Sequence, residues 1–200
     1  MDRIDKDSIK VIVECGSRDC LDAIALHDYY NPRIVYSFEC NPECIVLCGE
    51  NLQKNERKNI KLITKAIYDK DAKDVNFYAT DMINSEDKNI GGSSLLFHRD
   101  QKKYIQKKIL VNCMRLDTFM TIEKINKIDL LCMDLQGAEY LAIRGFGDRS
   151  KDIKYIITEI SYHSYYHGDR SFWHMKSLLE IIGFVFLVRI GNNALFKNKR

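Results

Sequence analysis

The sequence predicts an α/β fold in which a mostly parallel sheet has helices on both faces and is closed by an antiparallel C-terminal hairpin. Three observations predict it. Short apolar or β-branched runs recur along the chain and alternate with segments of helical spacing. The first run, Val11-Ile12-Val13, passes through Glu14 and Cys15 into a turn at Gly16 and then into a helical pattern, as in the opening unit of nucleotide-binding sheets. The last two apolar runs flank Gly191-Asn192-Asn193, a hairpin turn.

The elements follow in order. Residues 10–15 read as the first strand. Leu21, Ile24, Ala25 and Leu26 place a helix over 21–29, broken by Asn31-Pro32. The second strand covers 34–39, and Asn41-Pro42 starts a helix with proline at its first position, running to Gln53. The third strand covers 60–64. Short strands at 75–79 and 109–114 bracket a long polar segment containing Gly91-Gly92-Ser93-Ser94 and the lysines Lys102, Lys103, Lys107 and Lys108. That segment is either a solvated face or a flap over substrate. A helix over 116–125 precedes the continuous apolar run 128–133, the central strand, which ends at Asp134. A helix spans 137–144, a strand interrupted by Glu159 spans 155–160, and a helix over 172–182 turns Trp173, Leu178, Leu179 and Ile182 inward. Gly183 ends that helix, and 184–190 and 194–196 form the hairpin.

Two hundred residues suit one domain, 1–200, with a sizeable core, and 46% hydrophobic residues exclude a disordered chain. A net charge of +3 is too small to point to nucleic acid, and no apolar run approaches the roughly 20 residues of a membrane span. The opening MDRIDKDSIK lacks the apolar core of a signal peptide. With seven cysteines, an odd number, the expected setting is a reducing cytoplasm. Cys40, Cys44 and Cys48 fall on one helix face without the C-x-x-C pairing or nearby histidine of a metal site, so they read as packing.

Gly16 stands alone, followed by Ser17, Arg18 and Asp19. Pyrophosphate needs further glycines for close backbone approach, and Asp19 would repel it. S-adenosylmethionine has no phosphate and carries a cationic sulfonium and amino group, which suit Glu14 beside the turn. Glu39, at the carboxyl end of the second strand, offers acceptors to both ribose hydroxyls, and adenine would lie against Ala66 and Ile67. Ser17 and Cys40 adjoin Gly16 and Glu39 and complete the cofactor set. Asp134 ends the central strand in the crevice where open sheets bind ligands. Glu139 serves either that site or its own helix N-terminus. Glu159 needs a partner or a role, because a buried unpaired carboxylate costs several kcal/mol. The loop Ser161-Tyr162-His163-Ser164-Tyr165-Tyr166-His167 supplies aromatic faces for a sugar, and His163 is a candidate base. His98 and His174 read as structural or exposed.

Taken together, these pieces resemble the FkbM-type methyltransferases. The matching motifs are V-E-C-G, F-E-C-N-P with N-L-Q-K-N, G-G-S-S-L, R-L-D-T-F, I-D-L-L-C-M-D-L-Q-G-A-E with R-G, and I-I-T-E-I, in the family's order over 10–160. The resemblance implies a Rossmann-like class I methyltransferase sheet, S-adenosyl-L-methionine as cofactor, and methylation of hydroxyls on sugars, polyketides and related small molecules. It implies cofactor roles for Glu14, Gly16 and Glu39 and a reaction-centre position for Asp134, and it matches Glu139 and Glu159 to acidic positions of the family. Glu14 replaces the commoner Asp, Ser17-Arg18-Asp19 replaces a turn richer in glycine and alanine, and Cys40 stands where proline is frequent.

The expected reaction is in-line methyl transfer to a hydroxyl of a sugar or glycan, with Asp134 as base and His163 as the alternative. No metal ligand set is assigned, although a divalent cation held by Asp134 and Glu159 would acidify the hydroxyl instead. The rivals are a cap-ribose RNA 2′-O-methyltransferase and a methyltransferase acting on a non-sugar natural product. The glycine-poor turn disfavours a nicotinamide oxidoreductase.

Overall fold

A computed structural model of the chain describes residues 4–200. In chain order it contains β1 (Val11–Cys15), α1 (Leu21–Tyr30), β2 (Ile34–Phe38), α2 (Pro42–Asn55), β3 (Ile60–Ile63), β4 (Ala66–Ile67), β5 (Ala72–Thr80), β6 (Gln106–Met114), α3 (Leu116–Ile122), β7 (Ile128–Met133), α4 (Glu139–Arg144), β8 (Ile153–Glu159), α5 (Phe172–Ile181), β9 (Phe184–Ile190) and β10 (Asn193–Asn198).

Seven strands form the main sheet in the order β3-β2-β1-β7-β8-β10-β9. The first five are parallel, and β10 and β9 add the antiparallel hairpin at the edge. The parallel strands read as unbroken apolar runs because both faces are covered. Alternate residues divide between the two sides. Val11, Val13, Tyr36, Phe38 and Leu131 pack with α3, α4 and α5. Ile12, Val35 and Leu130 pack with α1 and α2. Within β7, Ile128, Leu130 and Leu131 are fully buried, and each such side chain stabilises the fold by about 1.5–3 kcal/mol. Asp129 interrupts that run and is used structurally, its Oδ2 accepting from the backbone amides of Lys10 and Val11 at 2.9 and 3.0 Å.

Strands β5 and β6 do not join the main sheet. They pair antiparallel with each other, and β4 adds parallel to β6, giving a separate three-stranded sheet in the order β4-β6-β5. Its small core is Ala66, Phe77, Val111 and Cys113. The long 81–105 connection springs from this hairpin and returns over the carboxyl ends of the main sheet. A bridge between Ser94 and Tyr78 ties it to β5, and one between His98 and Tyr166 ties it to the loop after β8.

Several sequence expectations need correction. Trp173 does not face inward: it is 62% exposed, and the buried face of α5 is Phe172, Met175 and Leu179. The helix expected over 116–125 stops at Ile122, and Lys124 takes a left-handed φ of 55°. The helix expected from Gly137 starts at Glu139, because Gly137 has a φ of 91°. All seven cysteines are free. Among the described residues no helix is long and apolar enough to cross a membrane.

Candidate active site

The strand order reverses between β1 and β7, and open sheets bind ligands at such a point. The carboxyl ends of these two strands are pressed together. A Cβ on Gly16, whose φ is 88°, would lie 1.8 Å from the carbonyl oxygen of Asp134. The backbone amide of Asp134 donates to the Cys15 carbonyl at 3.0 Å, and the amides of Gly16 and Ser17 donate to Phe38 at 3.1 and 3.0 Å. Arg18 and Cys20 also take left-handed backbone angles, so the turn is tightly wound.

A cavity of about 890 Å³, counted to its open mouth, lies above this turn. Gly16, Ser17, Glu39, Cys40, Ala66, Ile67 and Asp134 line it. Glu39 is nearly buried, and backbone amides anchor its carboxylate: Cys40 and Asn41 each donate to Oε1 at 2.7 Å, and Arg18 donates to Oε2 at 2.8 Å. A carboxylate has about four acceptor sites, so roughly one remains for a ligand hydroxyl. Burial pushes the Glu39 carboxyl above its ordinary pKa, and the three amides oppose that. The Asn41 side-chain nitrogen, in the same wall, is a buried donor without a partner among the described residues. Such a group calls for a bound acceptor.

Glu14 does not line the cavity. Its Oε2 forms a triangle with the hydroxyls of Ser17 and Ser37, each edge 2.7 Å, beneath the turn. Burial pushes its pKa up to about 7. Its carboxyl supports the turn from below instead of facing a cation.

The second space is a cleft of about 1630 Å³ to its mouth. Its walls include Glu139, Glu159, Tyr162, His163, Tyr165 and Tyr166. Gln136 belongs to both spaces and joins them. Its Nε2 donates to Asp134 Oδ1 at 2.6 Å and to Glu159 Oε2 at 3.0 Å, while Tyr166 donates to its Oε1 at 3.0 Å. The two carboxyl groups fix the amide orientation, since a flipped amide would set its oxygen against them. Glu139 Oε1 accepts from the Leu135 amide at 2.7 Å, near the start of α4. Asp134, Glu139 and Glu159 can each present an oxygen within 4.8 Å of the others. Burial, then the charges of Asp134 and Glu139, push Glu159 up to about 8. Burial pushes Glu139 up to about 7.

Residues 14–186 match the methyltransferase FkbM domain. The chain belongs to the FkbM methyltransferase family. Its sheet is that of class I S-adenosylmethionine-dependent methyltransferases. The chain is 26% identical over 181 residues to the 2-O-methyltransferase NoeI of Sinorhizobium fredii, covering 86% of this chain and 70% of that one. Its fold resembles an FkbM methyltransferase from Methylobacillus flagellatus, with a TM-score of 0.60 and 12% identity. That match covers 94% of this chain but 43% of the other, so the present FkbM chain spans under half of that relative's length. It also resembles M. capricolum TrmK solved with S-adenosyl-homocysteine, with a TM-score of 0.52 and 11% identity, covering all of this chain and 66% of the other.

The FkbM chain brings together most of the residues picked from its sequence. Asp134 is exposed in the first cavity, and Glu159 and His163 are in the adjoining cleft. The described contacts of His163 are two hydrogen bonds of its backbone with the Ser161 hydroxyl, which donates to the His163 carbonyl and accepts from its amide, and a ring contact with Tyr165 at 6.3 Å. His98 is buried with its ring edge-on to Tyr166 and also lines the cleft, and His174 is exposed beside Ser171. Sequence reasoning missed Gln136, Asn41 and the strip from Asn89 to Leu95 that walls the first cavity. The G-G-S-S run was the available signal for that strip: Ser94 Oγ donates to the Gln136 carbonyl at 2.8 Å and ties the 81–105 connection to the junction of the two spaces.

The raised acids predict a pH dependence. A carboxyl whose folded pKa exceeds its unfolded value contributes stability that is complete below the unfolded pKa and is lost as pH rises to the folded one. For Glu14 the interval runs from 4.5 to about 7 and amounts to about 3–4 kcal/mol. Urea midpoints of the ligand-free protein should therefore fall between pH 5 and pH 8. Glu14→Gln, which mimics the protonated acid, should remove much of that fall, and an unchanged profile in the variant would contradict this assignment.

Proposed function

We propose that this protein is an O-methyltransferase that binds S-adenosylmethionine in the first cavity and methylates a hydroxyl of a sugar or glycan held in the second. The observation that carries this reading is the junction between them, where Gln136 holds Asp134 on the donor side and Glu159 on the cleft side. Glu39 and the unpartnered Asn41 nitrogen bind the cofactor's nucleoside through its hydroxyl and base. Asp134 accepts the proton of the attacking hydroxyl. Glu159, pushed up to about 8, holds its proton near neutral pH and is the poorer acceptor. The tyrosines of the cleft offer apolar faces with polar tips, which suit a saccharide. The NoeI relative is a 2-O-methyltransferase, which favours oxygen as the acceptor atom. Free thiols throughout suit a cytoplasmic setting.

A second reading concerns a divalent cation. Asp134, Glu139 and Glu159 are spaced to hold one, and such an ion would supply Lewis-acid polarisation of the hydroxyl. Transfer that survives prolonged EDTA treatment assigns the chemistry to the side chains alone.

The deciding experiment is incubation with methyl-labelled cofactor and a panel of methyl glycosides, oligosaccharides, phenolic natural products and capped RNA, followed by mass detection. A saccharide product with the label on oxygen is expected. Label on the RNA cap ribose, or only on a non-sugar compound, would replace the sugar reading.

A further inference from the structure

The only tryptophan of the chain lies on the surface beside the cleft. Trp173 is 62% exposed at the start of α5, and its ring is 6.5 Å from that of Tyr162, which lines the cleft. Tyr162 and Tyr165 are 44% and 51% exposed. Phe172 supports both neighbouring rings from below, 5.2 Å from Trp173 and 5.5 Å from Tyr162, and is itself buried. The Arg189 guanidinium lies 5.2 Å from the Tyr162 ring, with one nitrogen donating to the Gly191 carbonyl at 2.7 Å. The result is a supported aromatic shelf, continuous with the acceptor cleft, with free polar groups at its edge.

The size of the shelf limits what can cover it. The exposed parts of Trp173 and Tyr162 amount to roughly 250 Å², well below the about 800 Å² per partner of a stable protein interface. It is the size of one or two sugar rings, whose C–H faces stack on aromatic rings while their hydroxyls reach polar side chains. Arg189, His163 and Asn192 line the adjoining cleft and supply those groups.

We propose that Trp173 and Tyr162 form an outer subsite that stacks a neighbouring ring of an oligosaccharide acceptor, so that the methylated sugar is part of a chain. This rests on the sugar reading given above. Atoms at the reaction centre are untouched: the subsite supplies affinity and register.

Trp173 emission reports this surface alone. The protein, saturated with S-adenosylhomocysteine, would be titrated with cello-, malto- and chito-oligosaccharides of one to six residues. In at least one series, emission should change with an affinity at least tenfold tighter for the trimer than for the monosaccharide. By calorimetry, Trp173→Ala should lose that tenfold gain, with monosaccharide and S-adenosylhomocysteine binding and the thermal midpoint unchanged. Trp173→Phe should recover part of it. Emission unmoved by every oligosaccharide, or affinity independent of chain length, overturns the subsite. So does emission that shifts with protein concentration alone, which assigns the shelf to a second copy of the chain. Product mass separates the two readings. Sugars methylated without dependence on chain length or on Trp173 remove the subsite only, whereas no methylated saccharide removes the sugar reading and the subsite with it.

Discussion

Asp134→Asn is expected to lower kcat for methyl transfer by about 10²–10⁴-fold, the usual contribution of a positioned general base. The substitution preserves shape. An asparagine oxygen can still accept from Gln136 Nε2, as Asp134 Oδ1 does at 2.6 Å, and the backbone bond to Cys15 is untouched. What disappears is an oxygen able to take a proton. S-adenosylhomocysteine affinity, measured by calorimetry, should change by less than about tenfold, because the loss falls on the transition state. The rate would be read with the acceptor identified from the labelled panel. Full activity in this variant would remove Asp134 as base and move the role to His163, across the cleft.

Glu39→Ala should weaken S-adenosylhomocysteine binding by at least about 100-fold and lower the thermal midpoint as well. The alanine deprives three backbone amides of their acceptor. The Asn41 bond is buried, and its amide left unpaired costs about 1–3 kcal/mol; the part-buried amides of Arg18 and Cys40 add less. Those amides belong to two turns, the one after β1 and the one after β2, so both walls of the cavity relax together. Glu39→Gln is the instructive control. Its single oxygen can serve one side, while its NH₂ faces a donor on the other, so an intermediate loss is expected. Unchanged cofactor affinity in Glu39→Ala would undo the assignment.

Much of this site was legible because class I sheets place ligands at strand ends, and strand ends are visible in sequence. Gly16, Glu39 and Asp134 each terminate an apolar run, so their convergence follows once the strands are ordered. The role of Glu14 was not legible. Its partner Ser37 is 23 positions away and meets it only through the parallel register of β1 and β2. Gln136 was hidden for a related reason: a left-handed φ of 51° swings it between two carboxylates, and nothing in the local pattern announces that angle. Trp173 was misjudged although the spacing held the answer. Phe172, Met175 and Leu179 follow an i, i+3, i+7 face, and the residue after Phe172 falls about 100° away from it. The R-L-D-T-F motif, one of those that carry the family resemblance, is structural. Arg115 donates to both oxygens of Asp117 at 2.8 and 2.5 Å, and neither residue lines the two spaces.

The contact between Gly16 and the Asp134 carbonyl carries a thermodynamic consequence. With the cofactor bound above this turn, as proposed, its site forms only where two chain segments more than a hundred residues apart have docked, so the partly folded chain has nothing to bind with. Such a cofactor counts toward the native state, and at one hundred times its dissociation constant it would add about 2.7 kcal/mol to folding. The concentration of methyl donor would then bear on how much of the protein is folded as well as on how fast it turns over.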